Sequence, residues 1–172
     1  MGDIELEGYR PGALAGTIAL HMEYYAREWR FGADFETKLA REMGEFLARM
    51  DAGKDLFLTA WRDGRLLGSI TLDATGGGGK GAHLRWFIVS DEARGTGLGG
   101  RLMAETMRFA VERGYRALWL TTFAGLGPAR RLYEKHGFRL TQESEADQWN
   151  GGVREQMFEC SLPAMVGAGV AR

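Results

Sequence analysis

The 172-residue chain has one cysteine, three prolines, four lysines and no long apolar run. A lone cysteine, Cys160, excludes an internal disulfide, and its alternating surroundings suit a buried, apolar-like side chain. The expected location is the cytoplasm. Gly12 to Leu20 falls well short of the roughly 20 apolar residues a membrane helix needs, and Asp3, Glu5 and Glu7 stand where a secretory signal would be basic. Scarce proline and the lack of a Gly-X-Y period exclude collagen-like and low-complexity chains. Twenty-two basic against 23 acidic residues give a net charge of −1, so bulk attraction to nucleic acid or to an anionic membrane is excluded. Any anion must be bound locally. Eighteen of the 22 basic residues are arginine, whose fork suits phosphate and carboxylate.

Glycine, in contrast, is abundant: 26 residues, where usage of about 7% gives roughly 12. With 45% hydrophobic and 11% aromatic residues the chain can build a core, and its length suits one domain, residues 1–162, followed by a frayed tail at 163–172.

Periodicity predicts two amphipathic helices in the first 52 residues, separated near Gly32, with Leu14, Ile18, His21 and Tyr25 on the first and Leu39, Met43 and Phe46 on the second. From Asp55 the period becomes two. Strands at 56–61 and 66–72 flank Asp63-Gly64, a hairpin signal, and Thr75 to Gly81 reads as a slack hairpin tip. A strand at 82–90, a helix from Leu98 to Gly114, a strand at 118–122 and a helix opened by Pro128 and capped by Gly137 follow. Two further strands, 138–143 and 153–162, flank a turn at Asn150-Gly151. The order is that of an α+β chain, a mixed sheet with helices packed on it.

Arg94 to Gly100 sets four glycines between a strand and a helix. Such a helix start offers unpaired N–H groups and a positive dipole end, and glycines let a phosphate reach the backbone. Three phosphate motifs compete for this feature. Ala74 to Lys80 nearly mimics a P-loop, but Ala74 replaces the first glycine and Gly81 the magnesium-binding hydroxyl. Gly95-x-Gly97-x-x-Gly100 matches a dinucleotide fingerprint, yet the acidic residue expected at the end of the next strand is absent, since that strand ends in Thr121-Thr122. A nucleotide-dependent oxidoreductase is therefore a remote reading.

The third motif is Arg94-x-x-Gly97-x-Gly99, preceded by Leu84 to Val89 and followed by Ala129-Arg-Arg-Leu-Tyr133-Glu-Lys-His-Gly137-Phe138. It resembles the GNAT family of N-acetyltransferases, most closely the acetyltransferase halves that some bacterial proteins carry behind MarR-type winged-helix regulators. The resemblance implies a mostly antiparallel mixed sheet of six to seven strands with about four helices, and acetyl-CoA as cofactor. It implies a coenzyme A pyrophosphate held by Arg94, Gly95, Thr96, Gly97, Leu98, Gly99 and Gly100. The pantetheine arm would lie along Phe87 and Val89 as an added strand, and Tyr133 would donate a proton to the departing thiolate. Two positions depart from the family pattern: Leu126 stands where an asparagine is common and Asp91 where a proline is.

The acceptor implied is an amine, of a small molecule or a protein, attacked directly in a ternary complex without a metal; members of the family are often homodimers. Only the free amine can attack, and the base is left open among His83, Glu23, Glu28 and a water. His21 reads as helix packing and His136 as a charge near a helix C-terminus. Trp61, Trp86 and Trp119 are expected in the core, while Trp29 and Trp149 are expected to line the acceptor pocket. The rival in a different class is a non-catalytic acyl-CoA-binding module, which needs the loop but not Tyr133.

Overall fold

The computed structural model describes residues 2–75, 79–145 and 153–164. One seven-stranded sheet has the order β1-β2-β3-β4-β5-β7-β6, built from β1 (Glu5–Glu7), β2 (Leu56–Arg62), β3 (Arg65–Asp73), β4 (Ala82–Val89), β5 (Ala117–Phe123), β6 (Arg139–Ser144) and β7 (Glu155–Ser161). All neighbours are antiparallel except β4 and β5. Four helices cover the sheet: α1 (Ala13–Trp29), α2 (Ala33–Arg49), α3 (Leu98–Glu112) and α4 (Gly127–Lys135). Among the described residues no helix is long and apolar enough to cross a membrane. The mixed α+β sheet with four helices matches expectation, with one addition: β1, an edge strand of three residues too short to carry a period.

Helical spacing decides which faces are buried. On α3, Leu98, Leu102, Thr106 and Ala110 recur every fourth residue and are buried, and the three apolar ones pack with Leu67, Leu72, Leu84 and Leu118 in the larger core, which also takes in Tyr133, Phe138 and Phe158. On α2, Leu39, Met43 and Phe46 meet Phe57 and Trp61 in a second core. Trp61 is buried there and Trp86 packs half-buried against it. Trp119 instead stacks on His83, ring centroids 3.6 Å apart.

Two features of β4 shape the molecule. Its parallel pairing with β5 covers only Ala82↔Leu118 and His83↔Trp119, so the strands part beyond that point. Its register with β3 jumps between Thr71↔Arg85 and Ser69↔Ile88, placing both Trp86 and Phe87 opposite Ile70. This is a β-bulge, and Trp86 adopts a left-handed φ of 49° to make it. The extra residue sends Trp86 toward Phe46, 5.7 Å between centroids, and turns Phe87 into the gap between the strands.

Gly81 corrects the expectation of slack. Its φ is +97°, and a Cβ there would lie 2.0 Å from the Ala117 carbonyl oxygen, so β4 and β5 start from a backbone approach that only glycine permits. Gly81→Ala combines a left-handed strain with a backbone clash, for a cost of about 2 kcal/mol or more. Thermal unfolding should show a Tm lowered by roughly 4–8 °C; an unchanged Tm would mean that the two strands start apart.

Candidate active site

The gap between β4 and β5 opens into two cavities. The larger, about 530 Å³, runs from the start of α3 past Val89, Ile88 and Phe87 to α4. The smaller, about 320 Å³, lies between α1, α2 and the strands beside Arg85 and Thr122. Their walls share Tyr25, Phe87 and Tyr133.

The head of the larger cavity is the glycine loop. A short 3₁₀ turn at Asp91–Ala93 leads into it, and Gly95 and Gly97 take φ of +76° and +82°. No atom lies within 4 Å of a Cβ built at either glycine, so they are required by backbone conformation, not by crowding. The first bond back within α3 runs from the Arg101 N–H to the Gly97 carbonyl, 3.0 Å. The N–H groups of Leu98, Gly99 and Gly100 precede that ladder, at the positive end of the helix dipole, where such groups suit an anion. At Gly99 a Cβ would come 3.4 Å from Phe87 Cζ and 3.5 Å from Leu132 Cδ2, which ties the loop to the cleft wall. Gly95, Gly97, Leu98 and Gly99 line the cavity with Arg94, Phe87 and Val89. Thr96 and Gly100, expected to join them, are not on its wall; the Thr96 hydroxyl donates to the Ala93 carbonyl at 2.6 Å and so braces the loop.

The two departures from the family pattern now have places. Leu126, 9% exposed, contributes apolar wall where an asparagine would contribute a hydrogen bond. Asp91 accepts from Arg94 at 3.2 Å through one oxygen and from Arg27 of α1 at 2.7 Å through the other, while the Arg94 guanidinium lies 4.9 Å from the Tyr24 ring centre.

Tyr133, 6% exposed, stands where the cavities join, its ring 6.3 Å from Phe87 and 6.1 Å from both Phe138 and Phe158. Burial pushes its phenol above the ordinary value, so it stays protonated at neutral pH. Tyr25 is raised for the same reason, with further contributions from Tyr133 and Tyr24. Its ring stacks on Phe31 at 5.7 Å and lies 5.1 Å from Phe35.

The smaller cavity carries most of what sequence reasoning missed. His21 lines it, with Nδ1–H donating to the Thr17 carbonyl at 2.8 Å, which leaves Nε2 unprotonated in the neutral ring. Burial lowers its pKa to about 4. His83 also lines it, and burial, followed by the neighbouring Arg85 charge, lowers its pKa to about 3. Glu42 of α2 accepts from Arg85 at 2.5 Å and lies 3.8 Å from Lys38. Arg85 also reaches the fully buried Asp73 at 3.4 Å, and Arg49 closes on the same Asp73 oxygen at 2.6 Å. Despite that burial, Arg49 and the Thr75 donors hold the Asp73 carboxyl at about 2. His136 is a helix-end cap, its Nδ1–H donating to the Leu132 carbonyl at 2.9 Å. Glu23, Glu28 and Trp29 line neither cavity. Glu28 accepts from Arg27, and the Trp29 indole fills the space beside Gly125, 2.9 Å from a Cβ built there. Trp149 lies outside the described residues.

The family model for acetyltransferases of the GNAT family matches residues 18–138. An uncharacterized N-acetyltransferase of Schizosaccharomyces pombe is 34% identical over 79 residues, 46% of this chain and 48% of that protein. The match thus spans about half the length of that curated relative. Among solved structures, an acetyltransferase of the GNAT family from Staphylococcus aureus Mu50 superposes with a TM-score of 0.74 at 16% identity, over 94% of this chain and 100% of the other. PaiA N-acetyltransferase from Thermoplasma acidophilum, in complex with coenzyme A, superposes with 0.69 at 18%, over 94% and 100%. A glycine loop at a helix start, a split between two parallel strands and a sequence match over both agree, and the chain belongs to the GNAT acetyltransferase family.

Proposed function

We propose that this chain moves the acetyl group of acetyl-CoA, the cofactor its family uses, onto a primary amine by direct attack in a ternary complex. The supporting observation is the meeting of two cavities at Phe87 and Tyr133: one has a head suited to a pyrophosphate, the other is lined by charged and aromatic groups. A module that only bound acyl-CoA would have no use for the second cavity or for a phenol at the junction.

The residues present fit the cofactor. Backbone N–H groups at Gly95 to Gly100 would take the pyrophosphate with Arg94 at the rim, and the edge of β4 from Leu84 to Val89, unpaired toward β5, would accept the pantetheine arm as a strand does. When bound there, acetyl-CoA supplies a thioester carbonyl as the electrophile. The β4 backbone near Phe87 would polarise that carbonyl. Tyr133 is protonated at neutral pH and would donate its proton to the departing thiolate. Tyr25, Phe87 and Tyr133 form a low-dielectric junction that favours a neutral amine over an ammonium ion. Burial and the Arg85 charge disfavour a protonated His83, and Glu23 and Glu28 line neither cavity, which supports water as the carrier of the ammonium proton. The acceptor is a small molecule or a protein amino group, the working location is the cytoplasm, and a homodimer is the expected assembly.

Gly97→Glu places a carboxylate and a left-handed strain in the anion seat, and calorimetry should find acetyl-CoA binding abolished; retained micromolar affinity contradicts the loop assignment. Tyr133→Phe should lower kcat by about 10²-fold or more and leave acetyl-CoA affinity within about threefold. An unaltered kcat would remove Tyr133 from the chemistry. The pH profile of kcat/KM should rise as the acceptor ammonium deprotonates, and His83→Gln should leave that limb in place. A shift of about one pH unit would make His83 the base.

A further inference from the structure

His21 is 4% exposed and lines the smaller cavity from α1. A carbonyl oxygen only accepts, so the 2.8 Å contact with the Thr17 carbonyl fixes the ring proton on Nδ1 and leaves Nε2 as the nitrogen with a free lone pair. Among the described residues no group donates to Nε2. A buried acceptor in a cavity wall finds its donor in the cavity or goes without, at a cost. The ring is also fixed relative to the reaction centre. The Thr17 hydroxyl donates to Ser69 Oγ at 3.2 Å, and Ser69 Oγ reaches the carbonyl of Trp86, the bulge residue, at 3.5 Å; Thr17 and Ser69 are both buried. Tyr25, four residues on, shares the helix face, its ring nearly parallel to that of His21 at 6.1 Å, and Tyr25 lines both cavities. His21 thus stands one helical turn from the junction. His83, the other imidazole on the wall, lies four residues before Phe87 at the vertex of the strands, stacked on Trp119.

We propose that His21 Nε2 accepts a hydrogen bond from an N–H of the acceptor amine and so aims the nitrogen lone pair at the thioester carbon. This rests on the acetyltransferase reading and assigns a further residue to its acceptor side. The tautomer supplies the acceptor of the bond, and a neutral primary amine supplies the donor. With one N–H on Nε2, the lone pair stays free to attack and is held in one direction. Burial, which lowers the His21 pKa to about 4, keeps the ring neutral. A carboxylate in that place would favour the ammonium ion, which cannot attack. Tyr133 of α4 and His21 of α1 would then divide the work, the phenol serving the leaving sulfur and the imidazole the incoming nitrogen. His21 orients and takes no proton.

Two substitutions separate this role from packing, because each keeps one nitrogen of the ring. Asparagine carries an amide N–H at about the Nδ1 position, so His21→Asn keeps a donor for the Thr17 carbonyl and offers nothing at Nε2. Glutamine reaches one methylene further, so His21→Gln brings an acceptor oxygen to about the Nε2 position. Free thiol release at saturating acetyl-CoA would be measured with ethylamine, benzylamine and methionine, which donate only through the amine, and with ethanolamine, serine and a short peptide, which carry a second donor. For every amine that reacts, His21→Asn should lose about tenfold in kcat/KM, chiefly in kcat, with the KM for acetyl-CoA within about twofold, and His21→Gln should recover activity to within about threefold of the unaltered chain. The proposal is overturned if His21→Asn keeps full activity, if His21→Gln is the worse of the two, or if the loss is confined to acceptors with a second donor. If either variant does not fold, nitrogen NMR of the unaltered chain with labelled histidines decides. Adding the best amine to the coenzyme A complex should shift the His21 Nε2 resonance and leave Nδ1 in place, and an unmoved Nε2 overturns the proposal. Acetyl transfer itself survives each of these failures. Thiol release with none of the amines, although acetyl-CoA binds, overturns both readings.

Discussion

The constraint on which the rest of this molecule depends is the short parallel contact between β4 and β5. Two residue pairs join the strands, and beyond His83 each keeps an edge that no strand among the described residues completes. A sheet interior with open backbone groups is costly unless something else occupies them. Here the open edges face cavities, not core, because the bulge at Trp86 and Phe87 redirects one aromatic into the α2 layer and the other into the gap. Gly81 sets the vertex of this wedge, and the two cavities are its two sides.

The chain's near-zero net charge conceals a sharp local sorting. The larger cavity is lined by apolar groups, by backbone at a helix start and by Arg94, with no carboxylate on its wall among the described residues. The smaller collects cations and an acid on α2 and β4 around the buried Asp73. Each cavity thus has its own electrostatic character, and they meet at the rings of Tyr25, Phe87 and Tyr133.

Much of this was legible in the residues. The helical spacing of Leu98, Leu102, Thr106 and Ala110, the hairpin at Asp63-Gly64 and the glycine run behind Arg94 each carry a local physical cause, and each stands where the sequence put it. Tyr133, singled out through its motif, lines both cavities. The wall of the smaller cavity was not legible. His21, Tyr25, Lys38 and Glu42 look like ordinary positions of two amphipathic helices, and nothing in a helical period says that the cavity wall will be made from them. Arg85 reads as a strand residue until the fold brings Glu42 and Asp73 to it. The bulge was hidden because a single extra residue leaves the strand composition unchanged. Gly81 was hidden because it adjoins four other glycines and only its position against Ala117 distinguishes it. Glu23, Glu28 and Trp29 were plausible by nearness to a loop, but a helix turns a residue every 100°, and these three point elsewhere.

Asp91 has a consequence for how an anion is held at the loop. Arg94 is already engaged before any pyrophosphate arrives, by a carboxylate that also holds Arg27, and all three side chains are about half exposed. Binding of a pyrophosphate as proposed would therefore exchange one anion for another at the same guanidinium. Added salt would weaken the pair that is lost about as much as the pair that is gained, so Arg94 would lend selectivity for a doubly charged, forked anion with little ionic-strength dependence of its own. The same exchange would leave Asp91 to hold Arg27 alone, and Arg27 lies on the helix that carries Tyr25 and His21 into the neighbouring cavity.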